Sequence, residues 1–300
     1  MEGKCRFPYV FSVFIILFLS VTVRNAFASN HGPGSDATSI RVAVLSCMDP
    51  VETYKNFHPL VHYLESRTGR RVTLQVPRDY NTFLRMVRQG QTDFSYQSAH
   101  IFLTLEKYLS PEMRLSTLTV SGKRQNHALL VARADSTIET IEDLRGKSVL
   151  FGPRQSTLKT FAAKQLLEEH GIDVEADLHD NSYGSSCVKT AFNVYLKAYD
   201  AGFVCAHSYH ALMREENPDW PIPPGSLKII GETMAIPTWI FSASKGIDPV
   251  MISLVREALL ELSHNPTEEH GEILHSIESS GFAVTRDGDL ATLRNRFVLQ

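Results

Sequence analysis

Short apolar runs alternate with segments of helical periodicity from residue 40 to about residue 263. The predicted strands are 41–45, 72–76, 93–96, 128–132, 148–151, 201–206, 227–230 and 239–242. Amphipathic helical patterns separate most of these runs, and this alternation is typical of β-α-β units on a mainly parallel sheet. The pattern predicts two α/β units in one chain, followed by a C-terminal stretch that could pack on either unit.

The first predicted helix has a strong start signal. Asp49 can cap it, Pro50 suits the first helical position, and Glu52 stands three residues after the cap. Gly69 is a typical helix end. We therefore expect a helix between Asp49 and Gly69.

The N-terminal segment has the pattern of a secretory signal peptide. Lys4 and Arg6 precede an apolar run over 9–23, and Ala26-Phe27-Ala28 follows it. We expect residues 1–28 to be removed after Ala28, with an uncleaved membrane anchor as the alternative, and residues 29–39 to form a flexible leader. The expected location is the periplasm.

Charge and cysteine content narrow the function further. The chain carries a net charge of −3, and residues 1–28 hold three basic and one acidic residue, so a chain without them carries −5. No basic patch indicates nucleic acid, and no histidine or cysteine spacing indicates a metal or other cofactor. Cys47, Cys187 and Cys205 remain after removal of the signal peptide, so at most one internal disulfide can form, and a Cys187–Cys205 pairing stays open.

The segment from Phe151 to Thr157 is a strand that runs into a polar turn and then a helix. Ser156 and Thr157 could offer hydroxyl donors beside the unpaired N–H groups of the helix start, which would suit an anion. Plain N-capping is the alternative. The Walker pattern is absent, which disfavours nucleotide hydrolysis.

Two further polar turns lead into helices and suggest a cleft at the carboxyl ends of parallel strands. The first contains Tyr96, Gln97 and Ser98, and the second contains Tyr183, Ser185 and Ser186. No catalytic arrangement of a nucleophile, base or paired carboxylates emerges. We therefore expect a binding protein rather than an enzyme.

These residues resemble the phosphate/phosphite/phosphonate substrate-binding proteins of ABC importers, over about residues 41–262. The resemblance rests on short motifs, namely Tyr54, 59–69, Asp79-Tyr80, 90–93, Asp135-Ser136, 143–147, 155–157 and Asp200-Ala201-Gly202. It implies a type II periplasmic-binding fold of two α/β lobes joined by two crossing strands. Lobe 1 would hold residues 40–132 and 236–300, and lobe 2 residues 133–235.

The resemblance also implies a site and partners. Ser156 and Thr157 match the pair that grips phosphonate oxygens. The full expected ligand set is Tyr54, Tyr96, Gln97, Ser98, Ser156, Thr157, Tyr183, Ser185, Ser186 and Asp200. The expected protein is a monomer that carries a small oxyanion to an ABC permease; a periplasmic sensor that signals to a membrane partner such as a kinase is the alternative.

The chain departs from the family pattern at several site positions. Leu158 and Lys159 follow Ser156-Thr157 where Ser-Gly is common, so one hydroxyl is missing and a cation is near. Ser186 stands where histidine is frequent, Cys205 stands where an aspartate is expected, and the Tyr96–Ser98 segment is more polar. The ligand could therefore be a phosphonate, a phosphate-like oxyanion or a molecule outside that set.

Overall fold

The computed structural model describes residues 39–46, 49–214, 222–264 and 267–297. The predicted signal peptide, Cys47 and almost all of the predicted leader lie outside these residues. The strands are, in chain order, β1 (Ser39–Val44), β2 (Arg71–Gln75), β3 (Phe94–Gln97), β4 (Leu109–Leu118), β5 (Gln125–Asn126), β6 (Ala128–Arg133), β7 (Ser148–Phe151), β8 (Asp180–Tyr183), β9 (Ala201–Cys205), β10 (Leu227–Glu232), β11 (Ile236–Pro237), β12 (Ile240–Ser244) and β13 (Gly281–Val284).

Helices connect most of these strands. They are α1 (Pro50–Thr68), α2 (Tyr80–Arg88), α3 (Ala99–Leu105), α4 (Ala163–Glu169), α5 (Cys187–Tyr195), α6 (Ala206–Leu212), α7 (Pro249–His264), α8 (Glu268–Ser276) and α9 (Asp287–Phe297). Thr157–Ala162 forms a π-helix that runs directly into α4. Among the described residues, no helix combines the length and apolar character that a membrane span requires.

The local signals of α1 act as the sequence predicts. The Asp49 side chain accepts a hydrogen bond from the Val51 N–H at 2.8 Å, and Pro50 is the first helical residue. Gly69 ends the helix with a φ of 64°, in the left-handed region that glycine adopts without steric cost. The expected start and end of α1 are therefore confirmed.

Apart from the short β5–β11 pair, the described strands form two sheets with parallel strands at the core of each. The first has the order β13-β4-β12-β3-β1-β2, in which β1 pairs in parallel with β2 and β3. The second has the order β10-β6-β9-β7-β8, in which β7 pairs in parallel with β8 and β9. Strands β12, β13 and β6 are antiparallel to their neighbours. Each sheet with its helices makes one lobe.

A short antiparallel pair joins the lobes. Strand β5 leaves the first lobe and pairs with β11, which returns the chain to it. Strand β6 pairs with β9 and β10, so residues 128–132 lie in the second sheet, whereas the sequence analysis assigned them to the first lobe. An apolar run predicts a strand but does not say which sheet the strand joins. The C-terminal stretch returns to the first lobe through β12 and β13.

Each lobe has its own apolar core. In the first lobe, α1 and α7 pack against the sheet around Phe94, Phe241 and Phe282, which are 0 to 1% exposed. In the second lobe, the sheet and α4 enclose Phe151 and Phe203, whose rings stack with centroids 5.4 Å apart. Burial of these side chains stabilises each lobe separately, on either side of the crossing strands.

The C-terminal helix α9 is tied to the first lobe by a bidentate ion pair. Arg294 donates to both carboxylate oxygens of Glu106 at 2.7 and 2.8 Å. These hydrogen bonds hold the pKa of Glu106 below its ordinary value. The pair therefore stabilises the folded state when Glu106 is ionised, and this stabilisation is lost as the pH falls through the lowered pKa.

We expect Glu106→Gln to lower the free energy of unfolding by about 0.5–1 kcal/mol at pH 7. The difference from wild type should begin to shrink below about pH 4, near the ordinary carboxyl pKa, and disappear only once the pH lies below the lowered pKa of the folded state. Urea unfolding between pH 3 and pH 8 measures it. Glu112→Gln, at an exposed position of β4, is the control, and an equal effect of the two substitutions would contradict the assignment.

Candidate functional site

A cavity of about 290 Å³ lies between the lobes. Parallel strands of one sheet end at the same edge, and the carboxyl ends of β3, β7, β8 and β9 lead into segments that line this cavity. The crossing strands contribute Asn126, Ile236 and Pro237. The cavity therefore occupies the crevice where α/β sheets usually bind ligands.

Ser156 begins the helix that follows β7 and also lines the cavity. Its Oγ accepts a hydrogen bond from the Lys159 N–H at 3.0 Å, so the N-cap that the sequence allows is present. Ser156 and Thr157 are 8% and 4% exposed. Capping uses one acceptor site of the Ser156 hydroxyl and leaves its O–H able to donate.

The first turn of this helix has π geometry. The Phe161 N–H donates to the Ser156 carbonyl at 3.0 Å, which is the i to i+5 bond of a π-helix. The wider turn directs Leu158 and Ala162 toward an apolar cluster of the first lobe that includes Leu45, Phe83 and Ile240. One helix thus packs on both lobes, because Leu166 and Leu167 further along lie in the second core.

Six of the ten predicted ligand residues line the cavity. They are Tyr96, Ser98, Ser156, Thr157, Ser185 and Ser186. Thr157 Oγ1 donates to Ser98 Oγ at 3.0 Å, which joins the two lobes through two of these hydroxyls. Ser186 caps α5 by accepting from the Lys189 N–H at 3.2 Å. Hydroxyls from three strand ends therefore meet in one place.

The other four predicted residues lie elsewhere. Tyr54 is 47% exposed on α1 and packs against His58, with ring centroids 5.9 Å apart. Gln97 is buried and its Nε2 donates to Ser242 Oγ at 2.8 Å, because neighbouring residues of a strand point to opposite faces.

Tyr183 and Asp200 are held by partners outside the cavity. The guanidinium of Arg154 lies 4.1 Å from the centre of the Tyr183 ring. The Asp200 carboxylate accepts from the backbone N–H and the hydroxyl of Ser148 at 2.9 and 2.8 Å. Asp200 precedes β9, and so stands at the opposite edge of the sheet from the cavity. Neither residue lines the cavity.

An aromatic wall closes the first-lobe side of the cavity. Tyr96 stacks on Trp239 with centroids 5.1 Å apart and also contacts Phe57 at 5.1 Å. All three residues line the cavity. The wall offers an apolar surface opposite the hydroxyl-bearing turns.

Lys159 and two cysteines form a contact that the sequence analysis did not place in the site. Cys187 and Cys205 are free thiols, and both line the cavity with Lys159. Lys159 Nζ lies 3.4 Å from Cys187 Sγ, and the backbone N–H of Cys205 donates to the same sulfur at 3.1 Å. The sequence shows that positions 159 and 205 depart from the family pattern. It does not show that the fold brings Lys159, Cys187 and Cys205 together.

The pKa values of the two thiols are shifted in opposite directions. A hydrogen bond from Cys205, with the Lys159 ammonium, lowers the pKa of Cys187 well below the ordinary thiol value, against the effect of burial. Hydrogen bonding to Cys187 and burial raise the pKa of Cys205 well above that value. Cys187 is therefore the more acidic thiol of the pair, the one that loses its proton first.

A carboxylate and an imidazole meet at the same cavity. Glu278 Oε2 of the first lobe lies 3.8 Å from His207 Nε2 of the second. His207, with Lys159 and His275 nearby, lowers the pKa of Glu278, whose side chain is 68% exposed. Glu278 adopts a φ of 53°, which a residue with a side chain rarely does. Within the described part of the chain, no cluster of three histidine, cysteine or acidic side chains is arranged for a metal.

Two α/β lobes, an antiparallel crossing pair and a hydroxyl-lined cavity between the lobes define a two-lobed ligand-binding protein. Residues 42–290 match the model of a family described as the periplasmic substrate-binding protein of phosphonate ABC transporters. The chain belongs to this family. Its members serve transport: they bind a small ligand and work with a membrane permease.

Solved structures share the fold of this chain. A Prochlorococcus marinus protein in complex with methylphosphonate has a TM-score of 0.73 at 13% identity, covering 87% of this chain and 98% of that one. A binding protein of an ABC phosphonate transporter from Pseudomonas aeruginosa has 0.71 at 17%, covering 87% and 86%. A Xanthomonas citri protein bound to ATP has 0.70 at 20%, covering 86% and 95%. The expected type II periplasmic-binding fold is confirmed.

Gly152 allows Lys159 to reach the cavity. A Cβ at position 152 would lie 2.5 Å from the Cβ of Lys159 and 2.9 Å from its Cε, too close for any real contact. The Gly152 N–H also donates to the Lys159 carbonyl at 3.0 Å. The side chain of Lys159 therefore lies against a backbone position that only glycine leaves open.

We expect Gly152→Ala to lower the free energy of unfolding by about 1–3 kcal/mol, because the turn that carries Lys159 must shift. Gly271→Ala is the matched control, since a Cβ there meets nothing within 4 Å and lies inside α8. That change should be neutral or stabilising by up to about 1 kcal/mol. Urea denaturation compares the two, and an equal response would show that position 152 has room for a side chain.

Proposed function

We propose that this protein captures a small oxyanion of the phosphonate, phosphite or phosphate type between its lobes and delivers it to an ABC permease. The observation that carries the proposal is the meeting of hydroxyls from both lobes at one cavity. Ser98 comes from the first lobe, and Ser156, Thr157, Ser185 and Ser186 come from the second. Oxyanions accept hydrogen bonds from donors of this kind.

The electrostatics of the cavity suit an anion held by local donors. Ser156 and Ser186 stand at the starts of the π-helix–α4 segment and of α5, where unpaired N–H groups and the positive helix end favour negative charge. Lys159 adds a cation within the same cavity. Glu278 and Cys187 lie close to Lys159 and partly offset its positive charge.

The size and lining of the cavity indicate a small ligand. Its volume of about 290 Å³ is near the lower end for small-molecule sites. The wall of Phe57, Tyr96 and Trp239 provides apolar contact for an organic substituent, while the hydroxyl turns face it. A phosphonate combines an oxyanion with such a substituent, and this combination favours it over inorganic phosphate.

Closure of the lobes is the proposed mechanism of capture. The bond between Thr157 and Ser98 and the contact between His207 and Glu278 both cross from one lobe to the other. Within the described residues, the chain crosses from one lobe to the other at the short β5–β11 pair and its flanking segments, which suits a hinge. A ligand bridging the two sets of hydroxyls would stabilise the closed arrangement, and its release would follow opening at the permease.

Calorimetry of residues 29–300 with methylphosphonate, phosphite, phosphate and sulfate tests this proposal. We expect one of the first three to bind, and the double variant Ser156→Ala/Thr157→Ala to bind it at least about 100-fold more weakly, since two hydrogen bonds to an ion are lost. Sulfate is expected to bind more weakly than the preferred ligand.

The control separates ligand contact from helix capping. Thr267→Ala removes an N-cap of the same kind from α8, where Thr267 accepts from the His270 N–H at 3.1 Å outside the cavity. It should cost about 1 kcal/mol of stability and leave affinity unchanged. Equal binding by wild type and the double variant would place the oxyanion elsewhere, and the failure of all four anions would overturn the proposed ligand class.

We also propose that residues 1–28 direct export and that the mature chain is a periplasmic monomer beginning at Ser29. Expression of the full chain in a Gram-negative host, with intact-mass measurement of the periplasmic fraction, is expected to give the mass of 29–300. Light scattering should give one chain per particle. Retention of residues 1–28 in a membrane fraction would instead support an anchor.

A further inference from the structure

Three reactive groups converge in the cavity from three different elements. Lys159 lies in the π-helix, Cys187 is the first residue of α5, and Cys205 is the last residue of β9. Lys159 Nζ is 3.4 Å from Cys187 Sγ, the Cys205 backbone N–H donates to the same sulfur at 3.1 Å, and all three residues line the cavity. Two cysteines this close can be joined by a disulfide without moving either element far.

The reduced pair can place a negative charge beside Lys159. Once Cys187 loses its proton, which its lowered pKa favours, its sulfur accepts from the Lys159 ammonium and from the Cys205 backbone N–H. In this state the ammonium already has an anionic partner. An oxyanion that seeks Lys159 must compete with the thiolate and be repelled by its charge.

Oxidation would remove that charge. With a small-molecule disulfide as oxidant, the Cys187 thiolate attacks one sulfur and expels a thiolate. The Cys205 sulfur, on losing its proton, then attacks Cys187 and expels the second thiolate, which takes up that proton. Two cysteine thiols are oxidised to one disulfide and the external disulfide is reduced to two thiols. The disulfide is neutral and a poor acceptor for Lys159.

We propose that Lys159 is a specificity-determining cation of the cavity, and that the redox state of the Cys187–Cys205 pair decides whether it faces the cysteine or the ligand. The inference rests on the proposed oxyanion function and deepens it. The oxidised protein is the high-affinity form, and the reduced protein is the low-affinity form. Thiol redox chemistry is available in the periplasm, where disulfides form and persist.

The test compares the oxyanion affinity of the protein in dithiothreitol with that after treatment with bis(2-hydroxyethyl) disulfide. Peptide mapping by mass spectrometry is expected to find the Cys187–Cys205 disulfide only in the oxidised sample. Calorimetry with methylphosphonate, phosphite and phosphate should show at least about tenfold tighter binding of the preferred anion by the oxidised sample. Absence of the disulfide, or equal affinity in the two states, overturns the proposal.

Matched variants assign the effect to Lys159. Lys159→Gln should weaken binding by the oxidised protein at least about tenfold and abolish the redox dependence. Lys189→Gln removes a charge from an exposed position on α5 outside the cavity and should keep the wild-type ratio. Cys187→Ala/Cys205→Ala should bind like the oxidised protein under both conditions. A redox ratio that persists in Lys159→Gln would overturn the role of this cation.

A measurement without ligand keeps this inference separate from the proposed function. After reductive methylation with ¹³C-formaldehyde, the NMR signal of Lys159 is identified by its loss in Lys159→Gln. Removal of the neighbouring thiolate should lower the pKa of this amine on oxidation, since an adjacent negative charge favours the ammonium. If no oxyanion binds in either state, the proposed function fails. The pKa shift is independent of that result: its presence supports the pairing of Lys159 with the thiolate, and its absence overturns that pairing.

Discussion

The site depends on the direction of the parallel strands. In each sheet β-α-β connections bring successive strands back in the same direction, so their carboxyl ends meet at one edge, and the β5–β11 crossing turns these edges toward each other. Polar residues that follow those strands therefore meet in a single crevice although they are far apart in sequence. Ser98 and Thr157, which are separated by 59 positions, hydrogen bond across it. Without the shared strand direction, the serines and threonine of this site would be ordinary cap and turn residues.

Much of this arrangement is predictable from local signals. Asp49, Pro50 and Gly69 bound the first helix as expected, because capping and a left-handed glycine are properties of a few neighbouring residues. Side-chain direction is harder to predict. Ser98 faces the cavity whereas Gln97, one residue earlier, turns to Ser242. The first-lobe placement of residues 128–132 was wrong for a related reason, since pairing between distant strands decides which sheet β6 joins.

The cavity residues that sequence reasoning missed share one property: they are brought together by neighbours that only the fold supplies. Cys187 and Cys205 are 18 positions apart, and each alone is an unremarkable thiol. Lys159 becomes part of the cavity because Gly152 leaves room for its stem. Glu278 stands in a left-handed backbone conformation that a side chain disfavours, yet it reaches His207 of the opposite lobe. Strain of this kind concentrates at functional sites and is held there by the surrounding structure.

The π-helix Thr157–Ala162 affects how easily the two lobes can separate. Leu158 and Ala162 pack on the apolar cluster of the first lobe, Leu158 also packs on the core of the second lobe, and the α4 segment that continues the π-helix is fixed in that core. Separation of the lobes would uncover the first-lobe contacts of these two side chains, which opposes opening in proportion to the apolar area uncovered. The π-helix therefore stabilises the arrangement in which the two lobes are in contact. If the lobes open and close as proposed, a change in the bulk of Leu158 would alter the balance between the two forms even where it leaves every polar contact of the cavity intact.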